Sequence, residues 1–390
     1  MKNRMAGIPK GFYDVVGNNA NQQFDIIEDF YKIGRTYGYE LAYPSEVGLE
    51  DTYLSFGTAA HGRAYAFEDM GHTRLMLSSD SLASCIRAYL SMENQAQVYR
   101  MMAKVPVFRC RHKKYRRWNH LIYTIFQEPN DVIATLSLLS VANDFLKKYY
   151  LNLTYAISLY GLFENYCAKL NCTHEQMYEA MHTYYDEKQV RENVIFDYIK
   201  NIEQLGKSRK AWCESLDLIV SVYPELLQIV NRYREFFVAL EHLNINFYID
   251  WEHYHAIEYS SGICFLVKDD TGATIADGGS YDYLVHQLNP SIEYCYSFAC
   301  SLETIPICDF SKKHKILYLL KMDCSIGFFL DVCGQLRKKG YNVYELAVNQ
   351  KMKKVLNKLP RNSIYVCVGK SEEESKKLQI GEKQIMVIKE

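Results

Sequence analysis

The sequence predicts a mixed α+β chain in two parts, and three observations carry that prediction. Tyr254–Val267 and Thr274–Asp282 read as two strands joined by a turn. Ile257, Tyr259, Ile263, Phe265 and Val267 suit a pleated, half-buried surface, and Lys268–Gly272 supplies the polar and glycine turn signals. Tyr166 to about Asn244 has few prolines or glycines and reads as largely helical. From Lys315 onward, short apolar strands alternate with helical stretches, the pattern of a small α/β domain.

Composition bounds the class. The 390 residues, 48% hydrophobic and 23% charged, suffice for two or three globular domains. A net charge of -1 lacks the basic excess of a nucleic-acid binder and leaves only local basic runs. The twelve cysteines include no Cys-x-x-Cys pair and no metal-ligand spacing. The closest pairs are Cys167 with Cys172 and Cys295 with Cys300, and reduced, buried thiols of a cytoplasmic protein are expected. Met1–Gly7 has no apolar signal core, and no apolar run approaches the roughly 20 residues of a membrane span.

In chain order, Ile8–Asp14 is a turn-rich arm. Asn21–Tyr37 is an amphipathic helix through Phe24, Ile27, Phe30, Tyr31 and Ile33, capped by Gly38, and Tyr39–Glu46 is a strand running into Pro44. Ala64–Asp80 is a hairpin and Ser81–Leu90 a helix. Val98–Arg109 and Asn119–Gln127 flank a basic loop, 112–117. Asn130–Leu151 is a core helix with Ile133, Leu136, Leu139, Val141, Phe145 and Leu146 inward. Leu153–Tyr160 and Ile245–Asp250 are strands, and Thr173–Gln176 is a capping box. Gly278–Gly279 lets backbone approach another strand or a ligand. The last part reads as strand Ile316–Leu320, helix Ile326–Lys339, strand Tyr341–Glu345, short helix Lys351–Leu359, and strands Ser363–Val368 and Gln384–Ile388.

This order of elements and punctuation resembles the class II histidyl-tRNA synthetases and their paralogues over nearly the whole chain. Pro44 matches the proline of the family's dimer-forming first motif. Phe67, Asp69, Gly71, Leu75 and Leu77 hold the frame of its hairpin, and Asp80 falls at the acidic residue that helps hold the substrate amino group, while Leu82 replaces the threonine there. Arg109 falls at the arginine that grips the ATP α-phosphate, a bidentate task lysine cannot copy. The glutamate two residues on is Arg111. Gln127 falls at a metal- and substrate-contacting acid, where a neutral amide is a poor substitute. His255–Gly262 and Asp277–Asp282 match the two histidine-recognition strands, Arg-Gly-Leu-Asp-Tyr-Tyr-Thr-Gly and Gly-Gly-Gly-Arg-Tyr-Asp, with His255 and Ser280 replacing both arginines. Asn289–Glu303, at the place of the third motif's glycine-rich strand and helix, has neither glycine nor the arginine that binds the γ-phosphate.

The resemblance implies a class II synthetase-like antiparallel sheet core over 1–310, a helical insertion at about 166–244, and a truncated anticodon-binding-like α/β domain over 315–390. It implies a histidine-like pocket built from Asp80, Arg109, Gln127, Glu258, Tyr259, Gly278 and Gly279, with no cofactor and no metal. The degraded catalytic set points to a non-catalytic paralogue: the regulatory subunit of ATP phosphoribosyltransferase in histidine biosynthesis, homodimeric through Asn21–Pro44, partnered by a catalytic subunit, with L-histidine as the sensed ligand. The competing readings are an interaction or RNA-binding protein using the basic loop, and a divergent amino-acid-activating enzyme.

Overall fold

The computed structural model describes residues 7–54, 64–93, 97–110, 115–189, 193–252, 261–306, 316–322, 324–347, 364–369 and 385–389. The chain divides into two compact units, Met1–Pro306 and Ile307–Glu390.

The first unit opens with α1 (Asn18–Thr36), β1 (Glu40–Ala42), β2 (Val47–Leu49), α2 (Glu50–Leu54), β3 (Ala66–Glu68), β4 (Arg74–Leu77) and α3 (Ser81–Leu90). A long hairpin, β5 (Tyr99–Phe108) and β6 (Arg117–Phe126), leads to α4 (Asp131–Leu146) and β7 (Thr154–Leu159). Six helices follow: α5 (Gly161–Glu164), α6 (Cys167–Leu170), α7 (His174–Tyr185), α8 (Val194–Lys207), α9 (Trp212–Val222) and α10 (Leu227–His242). The chain returns through β8 (Phe247–Ile249), β9 (Ser261–Lys268), β10 (Thr274–Ser280), α11 (Asp282–Leu288) and β11 (Cys295–Ser301).

Eight strands form one sheet in the order β1-β5-β6-β11-β10-β9-β7-β8, parallel only at its two edges. A small sheet, β2-β4-β3, stands beside it. The pleat of β6 divides its side chains by parity. Tyr123, on one face, stacks on Phe30 of α1 at 4.1 Å, and its hydroxyl donates to the Phe30 carbonyl. A Cβ on Gly34 would meet Met102 Sδ at 2.6 Å, so α1 approaches the sheet as closely as a glycine allows. Ile122 and Phe126, on the other face, pack with Met101, Ala103 and Val105 of β5 and with Ala83, Ile86 and Tyr89 of α3.

Local chemistry explains why several elements start where they do. Asp80 caps α3 by accepting from the Leu82 and Ala83 amides. Thr173 and Gln176 form the expected capping box on α7. Arg87 ties α3 back to the Ser45 and Val47 carbonyls.

Two expected inward positions point outward. Phe24 is 64% exposed and Ile133 is 51% exposed. The buried stripe of α1 runs through Gln22, Ile26, Phe30 and Gly34, at spacings of four, which leaves Phe24 on the opposite side. In α4, Leu139, Val141, Phe145 and Leu146 are buried as expected, Ala134 and Leu138 join them, and the helix ends at Leu146, short of the expected Leu151. The strand after α1 is also shorter than expected, Glu40–Ala42 rather than Tyr39–Glu46. The last described residues after β11 include a 3-10 turn, Leu302–Thr304.

The second unit has β12 (Ile316–Lys321), α12 (Ile326–Lys338), β13 (Asn342–Ala347), β14 (Ile364–Gly369) and β15 (Ile385–Lys389). They form a parallel sheet in the order β13-β12-β14-β15, with Phe329, Val332 and Cys333 of α12 on Leu317, Leu319, Val366 and Val368. The expected helix Lys351–Leu359 lies outside the described residues. No described helix is long and apolar enough to cross a membrane.

Candidate functional site

The β5–β6 hairpin, the start of α3 and the middle of β10 bring three charged groups into one neighbourhood. Arg109 follows β5. Its Nε donates to the Ser79 carbonyl at 2.9 Å, its Nη2 lies 3.5 Å from Asp80 Oδ2, and its guanidinium sits 5.6 Å from the Trp118 ring centre. The arginine is thus engaged by a carbonyl, a carboxylate and an indole face.

Two residues beyond Trp118, on the same face of β6, stands His120. Trp118 Nε1 only donates, so its 2.8 Å bond fixes His120 Nε2 as the acceptor. Nδ1 then carries the proton and donates to Ser81 Oγ at 2.9 Å. Burial, reinforced by Arg109, pushes the imidazole down to about 4 against the opposing pull of Asp80 and Glu303, so it is neutral at neutral pH.

Asp277 lies on β10 opposite Ala299 of β11 and Leu266 of β9. Its side chain is open to water yet walled by protein, as a group on the floor of a cleft is. Loss of hydration and repulsion from Asp80 raise its carboxyl to about 6, with Arg109 acting in the other direction. This aspartate stands where the family strand begins with glycine. Asp80, Asp277 and one committed arginine make the described part of the cleft better suited to a cation than to a triphosphate.

The glycines that follow Asp277 serve the sheet. A Cβ on Gly278 would lie 2.5 Å from the Ser297 carbonyl and 2.6 Å from Phe265 Cζ. Gly279 has φ +154°, and a Cβ there would meet Cys264 Sγ at 2.6 Å. The register shifts between Gly279 and Ser280, opposite Gly262 with φ +61°, which marks a bulge. The backbone approach read from the sequence is therefore an approach to neighbouring strands.

Gln127 does not join the cleft. It follows the far end of β6, about 30 Å along the strand from the Arg109 end at roughly 3.3 Å per residue. Its φ is +58°, its Nε2 donates to the Ser291 carbonyl, and its Oε1 accepts from the Glu293 amide. The amide holds the turn before β11, and its register on β6 cannot bring it beside Arg109. Glu258 and Tyr259 lie outside the described residues, as do His255 and the first part of the basic loop.

Two features escaped sequence reasoning. Glu303 accepts from the Tyr13 hydroxyl at 2.6 Å, the Asn119 amide at 2.9 Å, Asn119 Nδ2 at 2.8 Å and Ser301 Oγ at 3.2 Å, knotting the N-terminal arm to β6 and β11. The only signal was an acid at the end of an apolar strand. Glu164 joins the helical segment to the β9 strand: Oε2 accepts from the Gly262 amide at 3.1 Å, and Oε1 lies 3.0 Å from His174 Nε2. His174 stacks on Tyr283 of α11 at 3.9 Å, and the Tyr283 hydroxyl donates to Glu175. Nearby, Asp282 accepts from the Cys295 amide at 2.6 Å and is pushed up to about 7, mainly by burial.

Comparison with known proteins agrees with this architecture. A histidine–tRNA ligase of Aquifex aeolicus is 23% identical over 354 residues, spanning 85% of this chain and 84% of that protein. One of Clostridium perfringens is 24% identical over 402 residues, spanning 95% and 93%. Among solved structures, an ATP phosphoribosyltransferase regulatory subunit/histidyl-tRNA synthetase from Bacillus halodurans C has a TM-score of 0.72 at 14% identity, covering 94% of this chain and 100% of that one. The apo histidyl-tRNA synthetase of S. aureus has a TM-score of 0.65 at 16% identity, covering 99% and 92%. The family model for histidyl-tRNA synthetase matches residues 11–305, and this chain belongs to that family.

Proposed function

We propose that this protein is a non-catalytic member of the family, acting as the regulatory subunit of an ATP phosphoribosyltransferase and sensing L-histidine. The observation that carries the reading is the state of the nucleotide end of the cleft. Arg109 is tied to Ser79, Asp80 and Trp118, Asp277 adds a negative charge, and no arginine occurs from 289 to 306 to hold a γ-phosphate. The name borne by the Bacillus halodurans neighbour supports the same role.

In this reading Glu258 takes the ligand ammonium and Tyr259 lines the pocket. Regulation requires histidine to bind two states of the complex unequally. A homodimer forms through Asn21–Pro44, where Phe24 and Tyr43, 64% and 80% exposed, supply apolar surface to cover. The unit 307–390 serves as an anticodon-binding-like domain, and the assembly works in the cytoplasm.

A divergent ligase is the second reading, favoured by the names of the curated relatives. Calorimetric titration with L-histidine and with ATP–Mg²⁺, beside an ATP–pyrophosphate exchange assay, separates the two. Histidine binding without ATP binding or exchange supports the sensor, with co-purification of a catalytic subunit as the next step. Exchange activity overturns it.

A further inference from the structure

Outside the cleft, the corner between α6 and α7 places two thiols side by side. Asn171 takes a left-handed conformation, φ +53°, after α6, and the Cys172 amide donates back to the Cys167 carbonyl at 3.1 Å. This six-to-one closure folds the chain over itself and brings residues five apart face to face. A closure of this kind sets the side chains at its two ends, Cys167 and Cys172, against each other, while Cys167 Sγ donates to the Phe163 carbonyl at 3.4 Å. Both are free thiols and both are partly accessible. Cys172 also lines an open cavity of about 660 Å³ bounded by α7 and the start of α8, large enough to admit a small molecule beside it.

We infer that Cys167 and Cys172 are a reversible oxidation site that exchanges with small-molecule disulfides of the glutathione class. Cys172, the residue on the cavity, attacks first as its thiolate. The sulfur–sulfur bond of the small disulfide breaks, one thiolate leaves, and Cys172 carries a mixed disulfide. Cys167 then attacks Cys172 Sγ and releases the second small thiol. The protein loses two electrons and two protons, and one small disulfide becomes two thiols.

The order of attack follows from the surroundings. Burial, and after it the neighbouring Cys172, raise the Cys167 thiol to about 12, so almost none of it is thiolate at neutral pH. Capping Cys172 as a mixed disulfide removes that neighbour's repulsion and leaves Cys167 beside its target.

The bond would brace a consequential corner. Cys172 precedes Thr173, the cap of α7, and His174, which holds Glu164 and Tyr283. Oxidation therefore stiffens the contact between the helical segment and the strand at Gly262. The inference holds whichever reading of the cleft is right.

The test uses the full-length protein in glutathione disulfide, under conditions that fully convert exposed Cys213 to its adduct, followed by acid quench, alkylation and peptide mass spectrometry. The expected product is a Cys167–Cys172 cross-link, about 2 Da lighter than the reduced peptide, reversed by dithiothreitol. Cys167→Ser should leave a lasting glutathione adduct on Cys172, and Cys172→Ser should leave Cys167 alkylatable. If Cys213 is converted while Cys167 and Cys172 both stay alkylatable, or both carry separate adducts, the inference is overturned.

Discussion

Replacing Glu303 with glutamine tests the knot that closes the first unit. The two carboxylate oxygens take four donors from Tyr13, Ser301 and both nitrogens of Asn119. Glutamine keeps the shape but turns one acceptor into a donor. In one orientation its amide nitrogen faces Asn119 Nδ2, and in the other it faces the Asn119 backbone amide. The backbone N–H cannot turn to accept, and in the other orientation the Asn119 carboxamide must turn to present its oxygen, while the surviving bonds lose their charge assistance. Bonds to a charged group contribute about 1.5–3 kcal/mol each, and glutamine keeps part of them, so the expected loss is about 2 kcal/mol. Tyr13→Phe removes a single bond and should cost about 1 kcal/mol. All three tryptophans, Trp118, Trp212 and Trp251, lie in the first unit, so fluorescence in urea reports that unit. With a slope of about 3 kcal/mol/M, the Glu303→Gln midpoint should fall by about 0.7 M. The double variant should lose less than the sum of the singles, because Tyr13 and Glu303 share one bond. A Glu303→Gln midpoint within 0.1 M of the parent, or full additivity, would refute the reasoning.

Three further outcomes follow from the cleft and its sheet. His120 binds its proton near pH 4 when folded and near 6.5 when unfolded, so the unfolded chain takes up more protons in that window and stability should fall between pH 6.5 and 4. His120→Gln should flatten that part of the urea-midpoint profile. Asp277 has the opposite sign: its folded carboxyl titrates near 6 against about 3.9 unfolded, so its ionised form costs stability above pH 6. Asp277→Asn should stabilise the protein at pH 7 by up to about 1 kcal/mol after allowance for solvent screening, and lose that advantage at pH 4. Gly278→Ala drives a methyl into the Ser297 carbonyl and the Phe265 ring, which should cost about 2–3 kcal/mol in the same urea assay.

Elements that carry their own local signals were legible in the sequence. Asp80 announces α3, Thr173 and Gln176 announce α7, and Lys268–Gly272 announces the turn between β9 and β10. Side-chain direction was harder to read. Phe24 and Ile133 sit near helical spacing, yet the stripe that the sheet covers lies a fraction of a turn away. Gln127 occupied the family's acidic position by simple counting, but a pleated strand has a period of two and the turn beyond β6 has its own geometry. Glu303 and Glu164 were invisible because their partners lie far off in sequence, at Tyr13 and Asn119 in one case and Gly262 in the other. The resemblance placed Arg109 and Asp80 in one pocket, with separate roles and not as a pair. The tie from Arg109 to Ser79 and Trp118 depended on a fold in hand.

The edge of the large sheet has a consequence for how such a chain tolerates change. The helices α5–α10 leave the sheet from β7 and re-enter it through β8, which lies parallel and adjacent. The exit and the return are therefore one strand spacing apart, about 4.8 Å. A parallel neighbour needs only a crossover of a dozen or so residues, and the entropy of closing a longer one grows only with the logarithm of its length. To the sheet, the helical segment is a long excursion from a root that is already closed. Beyond the ties that Glu164 and His174 make to Gly262 and Tyr283, it can be lengthened or trimmed while the register of β9, β10 and β11 stays as it is, which leaves the rest of this segment free to diverge while the strands around Asp277 hold their places.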